Sequence, residues 1–309
     1  AMPSVGASGI LGIALEASPG TYLAPTKFIP FDSESMKWTQ ENTERRPIRN
    51  SPALLGMIRG DGHVEGDITF DCTSDILPYF LMAARMSVVK TGTTPTYTYT
   101  ANPTAVAVPA KTMSITIKRG NETSGYNGCV VSKIAFSIDN GAFKCTVSIL
   151  GMAENTQTNP TPVWPTSTVF GSGTYTWEIP TGTQVFDTDK WEFEIDDSGE
   201  AQNRIKNSLG AQFIAFGENK CTTKVDRDFE TRAEFDQFKN VTSKSLSMKA
   251  SNGANDSITV LTPVTFINSY EYNLGGQGDL LRASIEYAHA VNAAGNNYTI
   301  TVVTSENIT

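Results

Sequence analysis

Apolar and polar residues alternate with a period of two in segment after segment of this chain, and no other feature limits its fold as strongly. In Val64-Glu65-Gly66-Asp67-Ile68-Thr69-Phe70-Asp71 one parity carries Val, Ile and Phe, while the other carries Glu, Asp and Thr. A strand points successive side chains to opposite faces, so such a run gives one packed face and one wet face. The pattern returns at Met113, Ile115 and Ile117, at Ile134, Phe136 and Ile138, and at Cys145, Val147 and Ile149. It returns again at Trp191, Phe193 and Ile195, at Leu281, Ala283, Ile285 and Tyr287, and at Tyr298, Ile300 and Val302. Strands wet on one face favour antiparallel sheets over doubly wound parallel ones. Asp139-Asn140-Gly141 and Gly275-Gly276-Gln277-Gly278 read as hairpin turns. Only two stretches look helical: Ser74 to Met86, with Ser74 as N-cap, and the segment after Thr231, where Thr231 and Glu234 have capping-box spacing.

The chain has 309 residues, room for one large domain or two ordinary ones. Lys and Arg number 24 against 32 Asp and Glu, a net charge of −8, so a protein that grips duplex phosphates is excluded. The apolar run Gly9–Leu15 is short and no basic residue precedes Lys27, which reads as neither secretory signal nor membrane span. Cys72, Cys129, Cys145 and Cys221 lie far apart without Cys-x-x-Cys spacing, so they read as buried thiols, not as metal ligands.

The two halves carry an ordered series of local matches. Lys37-Trp38 answers Lys190-Trp191, and Ile48-Arg49-Asn50-Ser51 answers Ile205-Lys206-Asn207-Ser208. Phe70-Asp71 answers Phe229-Glu230, each just before a helix. Lys111-Thr112-Met113-Ser114 then answers Lys244-Ser245-Leu246-Ser247, and Val147-Ser148-Ile149 answers Ala283-Ser284-Ile285. The expected fold is mainly β: a duplicated antiparallel β-sandwich or half-barrel unit, each copy with a short flanking α-helix. Residues 1–30 read as an N-terminal arm, 31–154 as the first unit, 155–188 as a Pro/Thr-rich connector, and 189–309 as the second unit with a last strand. Thr91 to Pro109 reads as an insertion in the first unit.

No catalytic centre emerges, and the chain reads as non-enzymatic, with no cofactor and no metal. His63 sits in a turn and His289 on the apolar parity of a strand, positions that suit structural histidines. Neither Gly-x-Ser-x-Gly nor a phosphate loop is present. Gly275-Gly276-Gln277-Gly278-Asp279 departs from a calcium-binding nonapeptide in the place of its Asp. Glu192 with Glu194, and Asp226 with Asp228, share strand faces and read as solvated stripes before they read as chelators.

Gly12-Ile13-Ala14-Leu15-Glu16, Gly20-Thr21 and Pro25-Thr26-Lys27-Phe28-Ile29-Pro30-Phe31 resemble the start of the major tail protein, or tail tube protein, of long-tailed bacteriophages. The glycine in Glu65-Gly66-Asp67, and Lys111–Lys118 followed by Gly125-Tyr126-Asn127-Gly128-Cys129-Val130, are similar to that family's strands. The resemblance implies a structural virion protein whose copies form rings that stack into the hollow tube through which DNA passes. It places the protein in the virion tail, and in the host cytoplasm during assembly. Its partners would be further copies of itself, tape-measure, tail-terminator and tail-tip proteins, and double-stranded DNA passing without specific binding, with no membrane involved. Two units per chain favour a trimer with pseudo-six-fold symmetry, the alternative being a hexamer. Arg45, Arg46, Arg49, Arg204 and Lys206 are candidates for contacts between rings. Asp67, Asp71, Glu192, Glu194, Asp226 and Asp228 are candidate lumen-facing acids that would keep DNA from sticking. The rival reading is an extracellular two-domain β-sandwich binding or adhesion module, resting on Trp164 and Trp177.

Overall fold

The alternating runs form strands in a computed structural model that describes residues 8–48, 53–106, 109, 111–139, 141–203, 209–229, 232–273 and 281–308. The first half contains β1 (Ile10–Leu15), β2 (Lys27–Phe28), β3 (Ser33–Glu34), β4 (Lys37–Gln40), β5 (Thr43–Arg45), β6 (Gly56–Ile58) and β7 (Gly62–Asp71). After helix α1 (Leu77–Ala83) come β8 (Met86–Thr93), β9 (Thr96–Pro103), β10 (Met113–Arg119), β11 (Glu122–Asp139), β12 (Ala142–Gly151) and β13 (Ala153–Thr156). The second half contains β14 (Tyr175–Glu178), β15 (Thr188–Asp196), β16 (Glu200–Gln202), β17 (Phe213–Ala215) and β18 (Lys220–Asp228). Helix α2 (Ala233–Asn240) is followed by β19 (Lys244–Gly253), β20 (Asp256–Asn273), β21 (Arg282–Ala290) and β22 (Thr299–Thr304). The chain is mainly β and its strand ladders are antiparallel.

One long sheet crosses both halves. Its order is β3 and β4 end to end, then β7, β12, β11, β15, β18, β21 and β20. The first part of β11 leaves that sheet and pairs with β10 and β13, while β1 covers the far side of β10 and β2 that of β1. The first part of β20 likewise pairs with β19 and β22, and β14 covers the far side of β19. The hairpin β8–β9 of the first half joins this second system by pairing β9 with β22.

Both halves therefore pair their strands on one plan, and their irregularities coincide. β11 bulges between Val131 and Lys133, opposite Ile149 and Ser148, while β20 bulges between Ile267 and Ser269, opposite Tyr287 and Glu286. A further shift between Met113 and Ile115 is matched between Lys244 and Leu246. An extra residue in one strand moves every later side chain relative to its partner, so shared bulges define equivalent positions. In that register Lys144 corresponds to Arg282, Asp71 to Asp228, and Ile115, not Met113, to Leu246. The Lys-Trp pairs are not equivalent: Trp38 lies opposite Val64 near the start of β7, whereas Trp191 lies opposite Val225 near the end of β18.

The helices are shorter than their sequence signals. α1 begins after Ile76 with Pro78 in its first turn, and Ser74 does not cap it. Arg232 precedes α2 without a side-chain cap, and Thr231 lies outside the described residues. The segment read as an arm is built into the fold from residue 8 onward, with Leu11 and Ile13 buried under β10. The connector also packs: Phe170 is buried against Phe143, and Trp177 in β14 stacks edge-on to Trp191.

A large apolar cluster joins the halves through Phe136, Phe193, Phe143 and Trp191, whose rings stack across the β11–β15 joint. The four cysteines are free and buried. Residues after β22 return to the first half, where Glu306 accepts from Lys27 Nζ and from the Tyr79 hydroxyl. Tyr99 Oη accepts from the Ile308 amide, and Lys90 donates to the Ile308 carbonyl.

Candidate functional site: the polar face of the long sheet

The long sheet has two unlike faces because its strands alternate. Val64, Ile68, Phe70, Cys145, Val147, Phe136, Phe193 and Val225 turn inward and are buried. The opposite parity carries Asp67, Asp71, Glu192, Glu194, Asp226 and Asp228, so the six candidate lumen-facing acids lie on one face of one sheet. The centre of that face is a shallow hollow of about 370 Å³, lined by Asp67, Lys133, Ser148, Glu192, Glu194 and Lys224 among others.

Cations on the same face divide these acids into two sets. Lys144 lies 2.7 Å from Asp71 and 2.6 Å from Asp32, and these carboxylates hold its ammonium above the usual lysine range. Lys133 pairs with Glu194 at 2.9 Å and Lys190 with Glu192 at 2.7 Å. Arg282 lies 3.9 Å from Asp228 and 2.5 Å from Asp189, and Lys37 pairs with Glu65 at 3.2 Å. Asp67, Asp196, Asp226 and Glu271 have no cation within 4.0 Å among the described residues, although the Ser284 hydroxyl donates to Asp226. The face is thus a lattice of alternating charge with a residual negative excess. Sequence patterning found the acids but not the interleaved Lys133, Lys144, Lys224 and Arg282, whose strand parity was the available signal.

The basic residues expected at a stacking contact behave differently. Arg45 ends β5, and Arg46 donates to Glu44 at 2.7 Å. Both sit on the small β5–β6 ribbon, which pairs with no strand of the long sheet and exposes Met57 and Ile58. Arg49, Arg204 and Lys206 lie outside the described residues. The β16–β17 ribbon of the second half instead folds back, burying Ala211, Ile214 and Phe216 against Val130 and Leu150.

The remaining candidates are structural. His63 lies 3.5 Å from Glu65 at the mouth of β7. His289 is half-buried between the Thr223 and Thr265 hydroxyls, at 2.7 and 2.9 Å, and desolvation pushes its imidazole down to about 3. Trp164 packs on Phe28 while Trp177 is buried, so the two do not converge on a ligand face. Among the described residues no group of acids, histidines and cysteines is arranged to hold a metal ion, and no helix is long and apolar enough to cross a membrane.

The sequence of this antiparallel β protein matches the family model of the phage tail tube protein over residues 6–289. The chain belongs to the phage tail tube protein family, a structural family of the virion tail. No curated protein matches it significantly.

Proposed function

We propose that copies of this chain join edge to edge into closed rings, and that the rings stack into a hollow tail tube lined by the polar face of the long sheet. The observation that carries this reading is that sheet's form. It has one packed face, one wet face, and two edges, β3–β4 and the second part of β20, that no strand covers among the described residues. Solitary proteins blunt such edges, whereas an assembling wall uses them. The shared pairing plan supports descent of the two halves from one duplicated unit. Two units per chain then give a pseudo-six-fold ring from three chains, with six chains as the alternative count.

Asp67, Asp196 and Asp226, which have no cation within 4.0 Å among the described residues, would face the channel and repel the phosphate backbone, letting double-stranded DNA slide without specific binding. The β5–β6 ribbon, with Arg45 and Arg46, is the element best placed to reach a neighbouring ring, since a bare two-stranded ribbon is marginal in water. Tape-measure, terminator and tip proteins would meet the ends of the tube, and assembly would proceed in the host cytoplasm.

Negative-stain electron microscopy over a concentration series, with light scattering on the same samples, tests the proposal. Hollow rings or tubes are expected, and the ring mass decides between three chains and six. A compact monomer at every concentration, also when seeded with tail-tip complexes, overturns it.

A further inference from the structure

Within one chain the two halves are already joined by a strand ladder, and the shared bulges turn that joint into a template. β15 pairs with the second part of β11, placing Ile195 opposite Ile134, Glu194 opposite Ala135 and Phe193 opposite Phe136. In the second half the strand equivalent to β11 is β20, and its outer edge has no strand partner among the described residues. The element equivalent to β15 is β3–β4, because it pairs with β7 as β15 pairs with β18. Its outer edge likewise has no strand partner among the described residues.

We infer that β3–β4 of a second copy covers the outer edge of β20 in the register that the β11–β15 joint sets, with Lys37 opposite Glu271, Trp38 opposite Tyr270 and Met36 opposite Tyr272. This rests on the ring reading above and specifies how neighbouring chains meet. The register follows by counting from the bulges: Ala135 corresponds to Glu271, Phe136 to Tyr272, and Glu194 to Lys37.

The chemistry at the resulting pairs is complementary, although nothing in the counting required it. Glu271 has no cation within 4.0 Å among the described residues, and the Lys37 side chain is 65% exposed and pairs with Glu65 at 3.2 Å. Facing one another on the polar side, they would form a direct cross-strand ion pair, where the internal joint carries only the diagonal Lys133–Glu194 contact. On the packed side, Tyr272 is an edge aromatic left 56% exposed, and the buried Tyr270 hydroxyl has no hydrogen-bond partner among the described residues. Trp38 and Met36 would cover them, as Phe193 covers Phe136.

The edge is guarded in the single chain. Arg119 donates to both Glu34 carboxylate oxygens, at 2.7 and 2.5 Å, and to the Met36 carbonyl at 2.7 Å, while Glu34 accepts from the Met36 amide. That arrangement caps the outward groups of Met36 and leaves the Trp38 end open for first contact.

Cysteine cross-linking tests the register. Glu271→Cys and Lys37→Cys chains are mixed under assembly conditions, oxidised with diamide and resolved on a non-reducing gel, the native thiols being buried. A covalent dimer is expected at several-fold higher yield than from Ser269→Cys mixed with Lys37→Cys, two residues out of register on the same face. Equal or reversed yields from chains that form rings overturn this joint and leave the ring reading standing. Failure of both cross-links together with a strict monomer overturns both. Charge reversal gives an independent readout: Glu271→Lys is expected to suppress ring formation and Lys37→Glu in the same chain to restore it, and absence of rescue counts against the pair.

Discussion

Lys144 and Arg282 occupy the same position in the two halves of the chain, and each reaches the last acid of the neighbouring strand, Asp71 at 2.7 Å and Asp228 at 3.9 Å. The lysine is two-thirds buried and gathers a second acid, Asp32, whereas the arginine is 58% exposed and leans toward Asp189 at 2.5 Å. The same kind of ion pair thus stands at matching strand positions in both halves while its surroundings differ. Exposed pairs contribute about 0–1 kcal/mol, so both serve the charge pattern of the face more than the stability of the fold.

Gly66 approaches the backbone of the edge strand more closely than any side chain allows. Its φ is +155°, and a Cβ there would lie 2.5 Å from the Met36 Cα. Gly66→Ala is expected to cost on the order of 3 kcal/mol, read as a lowered urea midpoint. A midpoint within experimental error of the parent would show that β3–β4 does not pack as described.

Glu16 is a buried carboxylate that accepts from the Thr112 and Ser114 hydroxyls and from the Gly20 and Gly128 amides, at 2.5 to 2.9 Å. Glu16→Ala strands these donors, with an expected loss of about 2–4 kcal/mol. Glu16→Gln, which keeps one acceptor, should lose less, and the ordering of the two midpoints is the check.

His289 makes stability depend on pH. Its folded value near 3 lies below the usual 6.5, so between those limits the unfolded chain binds a proton that the fold excludes. Stability is therefore full above about pH 6.5 and falls as pH drops toward 3, with a slope of about 1.4 kcal/mol per pH unit from this group. Chemical unfolding at pH 7, 6 and 5 should show a smaller slope for His289→Gln than for the parent; identical slopes would remove His289 from the account.

Arg119→Ala removes the cap on Met36 and should shorten the lag before assembly seen by light scattering. An unchanged lag, with the fold intact by circular dichroism, would mean that the guard plays no part in timing.

Replacing Arg45, Arg46 and Arg49 together by Glu should shorten tubes without reducing the yield of rings, as measured by electron microscopy. Unchanged tube length would take stacking away from the β5–β6 ribbon.

Strand parity was legible in the sequence because each half-buried strand writes its two faces into alternate residues, as β7 and β15 do. It failed at β10, where Ser114 and Thr116 read as wet but are buried by Glu16 and Tyr22. The likeness in strand pairing between the halves was anticipated by local matches, but its register was not. Matches made on Phe70-Asp71 and on Val147-Ser148-Ile149 fall two residues from the equivalences set by the bulges, on the correct face but at the wrong height. Bulges are visible only in pairing, and pairing partners such as β9 and β22 lie too far apart in sequence for local patterns to connect them. The acids of the polar face were found for the same reason as the strands, whereas the Arg119 guard depends on a contact between distant elements.

The β9–β22 ladder and the anchoring of Glu306 and Ile308 on the first half impose an order on biogenesis. While a ribosome is still making residues 190–298, the β8–β9 hairpin has no strand to lie against and Tyr99 has no amide to receive. Neither half is finished until residues 299–308 emerge, so a prematurely released chain carries an open, protease-sensitive hairpin.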